Sequence, residues 1–385
     1  YEIFEDPSSY CDFEYEKNKI NFDNDIFEHK IFIHPKKYLR TSESFDQLQK
    51  KYKNLDLRQG NAALKFIEKD NKNNLLVYNH FLKEKYLISS TKYVLSCGAL
   101  NNPEVLLNSK HIKEKLPYIG YFLMDHPMGN FYQYKYQNPI KAKIYSALKF
   151  KKGLSIKIAL KLKYSLQEQH QLSNSAFYLR PSFSEGFNNK TEDLKNQLLT
   201  VRSKLKKLKI PITEGMSLIK DFNMVAQIIQ YKTGLLSKHK LTDIMFVTEQ
   251  IPSKQSKIVL TDELNFYGNN KTKVVWKLSE KDLQEVKSLK KFIDTYLMKL
   301  NKADETYNSD NFSWKDRLAS AAHHMGTLRM SEDSSSGCVN SNLKLHCYDD
   351  IYICDASVFP TGGNGNPTMT CMALASRLGE YLSYD

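Results

Sequence analysis

A chain of 385 residues with 41% hydrophobic content can bury a large core, which excludes wholesale disorder and points to two domains or one large one with insertions. The formal net charge of +13 raises the question of an anionic partner. Lys far exceeds Arg, however, and is spread along the chain with abundant Asn, Ile, Tyr and Phe, so the charge reads as compositional bias and no specific nucleic-acid recognition is expected.

Residues 1–55 are polar and aromatic, with a short candidate strand in "KIFIHP". From there to residue 99 the pattern tightens. "NAALKFIEKD" and "NLLVYNHF" read as strands joined by the turn "NKNN", and "YLISSTKYVLSC" supplies two more. "YVLSC" is continuously apolar, as a strand buried on both faces should be, and it runs into Gly98, Ala99 and "NNPEVLLNS". Asn101 or Asn102 is expected to cap a helix whose first residue is Pro103. Strand, glycine turn and helix start form half of a nucleotide-cradling crossover.

The middle of the chain, about 130 to 280, changes character. Strand-like runs ("GLSIKIALKLKY", "SNSAFYLRP", "TDIMFVTEQIP", "SKIVLT", "KTKVVWKL") predict a mainly antiparallel sheet. Two Lys-rich amphipathic helices are expected among them. One carries Leu194, Leu198, Val201 and Leu205 on a stripe, and the other lies around "GMSLIKDFNMVAQIIQY". A third helix starts at a capping box of Ser279 and Asp282 and buries Leu283, Val286, Leu289, Phe292 and Leu300. The change of pattern places a domain boundary near "MDHPMGN". The fold class is α/β plus α+β. One domain (56–128 and 301–385) is built in the style of a partial dinucleotide-binding fold, and a second (1–55 and 129–300) rests on the antiparallel sheet with flanking helices.

The last quarter holds the chemistry. "SAAHHMGTLRM" sets His323 and His324 side by side ahead of a Gly-Thr pair. Histidine exchanges protons near neutral pH, so a catalytic base competes there with a metal site and a structural role. A metal site is not expected, because adjacent histidines do not readily share one small ion and no thiolate or carboxylate cluster completes it. A strand–turn–strand in "CVNSNLKLHCYDD" and a strand "IYICDASVF" follow. Then "GGNGNPT" opens a helix over 369–382, with Asn366 as its cap and Pro367 in its first position. Small residues on that helix (Thr370, Cys371, Ala373, Ala375) suit close packing against something flat, and the glycines read as a close approach of backbone to ligand. No two of the six cysteines form a C-x-x-C pair, which favours free thiols in a reducing compartment, the cytoplasm, over a disulfide framework. No apolar run is long enough for a transmembrane segment.

Four stretches, in order, resemble the glucose-methanol-choline (GMC) oxidoreductase family. They are "YVLSCGALNNPEVLLNS", "IGYFLMDHP", "EQIPSKQSKIVLTDELNFYG", and the C-terminal series from His-x-x-Gly-Thr-x-Arg-Met through "IYICDASVFPT" to "NPTMT". The resemblance implies an FAD-dependent oxidoreductase acting on CH–OH groups of a small-molecule alcohol or sugar. It makes His323 the base that takes the hydroxyl proton while hydride passes to flavin N5, with Asn366 as the second catalytic residue. It places Gly98, Ala99, Asp355, Ala356, Asn366, Pro367 and Thr368 along FAD. The two side chains at 323 and 366 are expected to converge over one face of the flavin ring. Bland readings stand beside these. The alternative for Asp355, behind the cofactor role, is to cap a turn, and for Asn366 to cap a helix; His324 is expected to pack and His126 to be structural. The family's N-terminal G-x-G-x-x-G unit has no counterpart in this sequence. A chain starting at Tyr1 is therefore expected to be the C-terminal part of a longer protein and to bind FAD poorly alone. A non-catalytic family member acting as a binding subunit is the alternative.

Overall fold

The computed structural model describes residues 20–35, 41–141, 143–145, 149–151, 154–183, 226, 230, 238–306 and 318–384. The two Lys-rich helices expected between 190 and 231 lie outside the described residues, apart from positions 226 and 230. In chain order the elements are β1 (Phe27–Pro35), α1 (Thr41–Lys51), β2 (Asn61–Lys69), β3 (Lys72–Asn79), β4 (Glu84–Ser89) and β5 (Tyr93–Leu95). There follow α2 (Gly98–Leu107), α3 (Lys110–Lys115), β6 (Pro127–Ile140), β7 (Lys149–Lys151), β8 (Leu154–Leu162), α4 (Tyr164–Gln169), β9 (Ser175–Ser182) and β10 (His239–Thr248). The last are β11 (Lys257–Leu264), β12 (Asn270–Val275), α5 (Glu280–Phe292), β13 (Ala303–Glu305), β14 (Ala319–Ser320), β15 (Ile351–Ile353) and α6 (Thr368–Tyr384).

The chain divides into two compact units. The first takes residues 1–36, 128–248 and 284–319, and the second takes 37–127, 249–283 and 320–385. The passage from one to the other at Pro127 falls inside "MDHPMGN". The sequence-based boundaries differ elsewhere: 249–283 and 37–55 go with the second unit, and 301–319 with the first. The reason for the first of these is visible in the backbone. The β11–β12 hairpin is bonded into the second unit, with Ile258 N–H donating to Gly120 O (2.8 Å) and Leu123 N–H to Ser256 O (2.9 Å). The Asn108 amide also bonds both backbone groups of Asn270.

In the first unit, antiparallel strands run in the order β1-β8-β9-β10-β6-β13. Alternation sets the inner face, since Ile156, Ile158, Leu160 and Leu162 on β8 are all buried. Phe131 stacks on Phe246 across β6 and β10, with ring centroids 4.3 Å apart. Helix α5 starts as its sequence predicts, Ser279 and Asp282 exchanging side-chain-to-backbone hydrogen bonds. Its far end departs. Residues 293–298 widen into a π-turn that buries Ile293, Leu297 and Met298, so the apolar stripe shifts and Leu300 is exposed.

In the second unit, β2, β3 and β4 form an antiparallel meander. Its first turn is Asp70–Asn71, both at positive φ as a two-residue hairpin turn needs, so it starts one residue before the expected "NKNN" and β3 begins at Lys72. β5 and β15 pair in parallel, Tyr93 opposite Ile351 and Leu95 opposite Ile353. The expected strand–turn–strand over 338–350 is instead an irregular segment tied by isolated bridges, with Leu343 and Cys347 at positive φ. The core gathers Leu95, Leu106, Ile112, Leu123, Met325, Leu328, Val339 and Ile353, all buried.

Candidate active site

Helix α2 begins at Gly98, five residues earlier than the sequence reading, so Pro103 is interior. Proline has no N–H to donate to the carbonyl four residues back, that of Ala99. The structure supplies a replacement, the Thr327 hydroxyl donating to Ala99 O at 2.7 Å. Asn102 acts as a bridge. Its amide oxygen accepts from Cys97 N–H (3.0 Å), and its amide nitrogen donates to Asp355. Asp355 also accepts from Gly98 N–H (2.7 Å) and from Ser357 N–H (2.8 Å), so its carboxylate fixes the glycine turn and caps the short 3-10 turn at Ala356–Val358.

The His-x-x-Gly-Thr segment is locked from both sides. Gly326 sits at φ +87°, and a Cβ there would collide with the Phe122 carbonyl oxygen, so only glycine fits. Met325 exchanges two backbone hydrogen bonds with Met124, each 2.9 Å. Gly326 N–H reaches Ala356 O at 3.1 Å.

These ties bring the Asp125-His126 pair against His323. Asp125 and His126 are each 1% exposed, which forces every polar atom they carry to find a partner. One carboxylate oxygen of Asp125 accepts from His126 N–H (2.6 Å) and from His323 N–H (3.1 Å). The other accepts from the Ser320 hydroxyl and lies 3.5 Å from His324 Nε2. A single carboxylate thus staples the backbones of His126 and His323. Above it, Gln250 accepts from Asp125 N–H (3.0 Å) and from Trp276 Nε1–H (2.8 Å), holding the 249–256 strap in place.

The rings of His126 and His323 meet edge to face, with Nδ1 to Nδ1 at 3.0 Å. His126 Nε2 lies 3.4 Å from Gly362 O, which carries the connection into the glycine loop. Burial lowers the pKa of both imidazoles below the ordinary 6.5, the Asp125 carboxylate opposing that shift in each. Among the described residues no hydrogen bond reaches His323 Nε2.

Asn366 is exposed just ahead of α6, and no hydrogen bond among the described residues joins its side chain to His323. Pro367 precedes the helix, its carbonyl accepting from Cys371 N–H at 3.0 Å. Thr368, Met369 and Thr370 of the first turn are exposed. Cβ positions built on Gly98, Gly363 and Gly365 meet nothing within 4 Å, so the backbone is open at three places, as the close approach of a flat ligand requires.

Sequence reasoning singled out His323, Asp355, Gly98 and Asn366. It missed Asp125, Asn102 and Gln250 as functional parts and set His126 aside as structural, whereas the structure brings its ring into direct contact with His323. The adjacency of an acid and a histidine before Pro127 was the available signal.

The fold is mixed α/β, with mainly antiparallel sheets. Pyridoxine 4-oxidase from Mesorbium loti superposes with a TM-score of 0.50 at 15% identity, over 86% of this chain and 59% of that one. An FAD-dependent oxidoreductase from Chaetomium thermophilum does so at 0.51 and 14%, over 88% and 63%. A formate oxidase also matches, at 0.50 and 12%, over 83% and 59%. The chain therefore spans about three-fifths of these proteins. In sequence, residues 252–375 match the family model described as GMC oxidoreductase. A dehydrogenase, Str4 of Strobilurus tenacellus, is 32% identical over 80 residues, which is 20% of this chain and 13% of that one.

Proposed function

We propose that this chain carries the proton-accepting half of an FAD-dependent oxidoreductase that oxidises a CH–OH group of a small alcohol or sugar. One observation supports the reading above the others. A half-buried imidazole, His323, is anchored through Nδ1 and through its backbone N–H, and its Nε2 is left without a partner among the described residues. Burial keeps that imidazole neutral near pH 7, ready to take a proton from a hydroxyl. Oxidising an alcohol removes that proton together with a hydride, and FAD, when bound, accepts the hydride.

The residues that would hold FAD are Gly98, Ala99, Asp355, Ala356, Asn366, Pro367 and Thr368. Asp355 acts on the backbone, shaping the Gly98 turn. The open glycines at 98, 363 and 365 fit a cofactor lying against the main chain. The exposed first turn of α6 offers free N–H groups and the positive end of its dipole to developing negative charge. Asn366, neutral and exposed beside it, holds the substrate oxygen without adding charge. By this assignment the second unit is the FAD-binding domain and the first the substrate-binding domain.

The test uses the full-length protein reconstituted with FAD and challenged anaerobically with a panel of alcohols and sugars. Bleaching of the flavin absorbance is expected with at least one. His323→Ala should keep FAD and lose at least 100-fold in bleaching rate. Unchanged bleaching in that variant would remove His323 as the base. FAD retained with no bleaching by any substrate would favour a binding subunit.

A further inference from the structure

The reading of His323 as base rests on one lone pair, and neutral histidine has two places to put its proton. Which nitrogen carries it is decided by what the other one bonds. Asp125 touches only the backbone of His323, so its carboxylate does not make the choice. The ring's one partner among the described residues is another imidazole.

We propose that His126 is a positioning residue that fixes the tautomer of His323, holding the proton on Nδ1 and leaving Nε2 bare as the acceptor. The argument runs inward from the glycine loop. A carbonyl oxygen only accepts, so the contact between His126 Nε2 and Gly362 O requires a proton on that nitrogen. A 1% exposed imidazole is strongly disfavoured as a cation, and neutral His126 then has a lone pair on Nδ1. At 3.0 Å that lone pair demands a donor, and the atom facing it is His323 Nδ1. His323 therefore carries its proton there.

The reverse chain fails. A proton on His126 Nδ1 would leave the Nε2 lone pair pointing at the Gly362 carbonyl oxygen, acceptor against acceptor. The groups that bias His126 toward charge are the Gly362 carbonyl first and then the Asp125 and Glu249 carboxylates, and all three stand against its burial, the larger effect. Geometry is fixed by the same carboxylate oxygen of Asp125, which bonds the N–H of both residues. The two rings cannot drift apart without breaking a buried hydrogen bond.

The arrangement has a consequence for the reaction. When Nε2 takes a proton the ring becomes a cation, yet Nδ1–H still donates to His126 as before. The supporting bond strengthens, as bonds from charged donors do, and nothing has to reorient.

The test needs neither cofactor nor turnover. The 385-residue chain, labelled with 15N-histidine, is examined by long-range proton–nitrogen correlation at pH 8, with His323→Gln identifying the His323 signals. The expected result is a protonated Nδ1 and bare Nε2 for His323, and the opposite pair for His126. His126→Leu should move the His323 proton to Nε2. His126→Asn, whose amide oxygen falls near the lost Nδ1, should restore the wild-type pattern. A wild-type His323 protonated on Nε2 overturns the proposal, as does a folded Leu variant that keeps the Nδ1 proton. If the Leu variant does not fold, the wild-type tautomer alone decides. In the full-length enzyme kcat should fall about 100-fold in His126→Leu with KM little changed, and recover most of that in His126→Asn. The failure modes are separable: a correct tautomer with full turnover in His323→Ala would sink the base assignment and leave the tautomer assignment standing.

Discussion

The two units solve the burial of polar backbone in different ways. The first does it with a regular ladder. Its strands pair across long stretches of sequence, with two register shifts where β10 meets β6, and its interior is aromatic and aliphatic, as at Phe131, Phe246, Ile158 and Leu160. The second brings segments 120–126, 249–256, 321–330 and 354–363 together with almost no regular structure between them. Their N–H and C=O groups must find partners all the same. Buried side chains provide them, namely Asp125, Gln250, Asn102 and Thr327. A ladder tolerates exchange of its side chains so long as volume and pattern survive. A scaffold of polar staples does not, and it places functional atoms more exactly for that reason.

Substitutions of matched severity in the two units separate these modes. The largest loss is expected for Asp125→Ala, which removes a 1% exposed carboxylate that holds the N–H groups of His126 and His323; we expect about 4 kcal/mol from urea unfolding and loss of the His323 Nδ1 proton signal. Ile158→Ala in the first unit should cost about 3 kcal/mol through its cavity, with the histidine spectrum of the second unit unchanged. If that spectrum moves as well, the two modes are not separate.

Acid should expose a weakness in the first unit. His239 is buried, and its pKa is pushed down to about 4. The unfolded imidazole takes a proton near 6.5, so between 6.5 and 4 the unfolded chain binds more protons than the folded one. Stability therefore falls as pH drops through that window, by about 3 kcal/mol at its lower end. Urea midpoints at pH 7 and pH 4.5 check this, and His239→Gln should flatten the difference.

Smaller effects close the series. Thr327→Val keeps the shape of the side chain and strands the Ala99 carbonyl, for about 1–2 kcal/mol in the same unfolding assay. Met372→Ser on the exposed side of α6 should change stability by less than about 0.5 kcal/mol. A larger loss would mean that this side is covered in solution.

Legibility in the sequence followed the same division. The strands of the first unit carry period-two patterns that can be read directly, and in the second the capping box of Ser279 and Asp282 forms as its spacing predicts. The second unit yielded its parallel strand and its motif residues, yet the start of α2 was misplaced. The cap-and-proline rule was applied at Asn102-Pro103, where tertiary bonding won: Asn102 does cap, but from inside the helix and toward Cys97. The same holds for 338–350, whose alternation resembles strands although the chain bends at Leu343 and Cys347. The Asp125-His126-Pro127 run is a local signal, but it does not state what His126 does. That role comes from a partner 197 residues away. The role of Gln250 was silent for the same reason.

Pro103 has a wider effect than its place in one helix. By withholding a donor it leaves a carbonyl that the hydroxyl at 327 reaches, so a gap early in the chain is filled by a residue 228 positions later. During synthesis α2 can coil as soon as it emerges, but it stays one bond short until the segment bearing the histidines arrives. Assembly of the His323 loop and completion of the glycine-led helix are then one event, and a chain arrested before that segment would lack the hydroxyl bond to this helix.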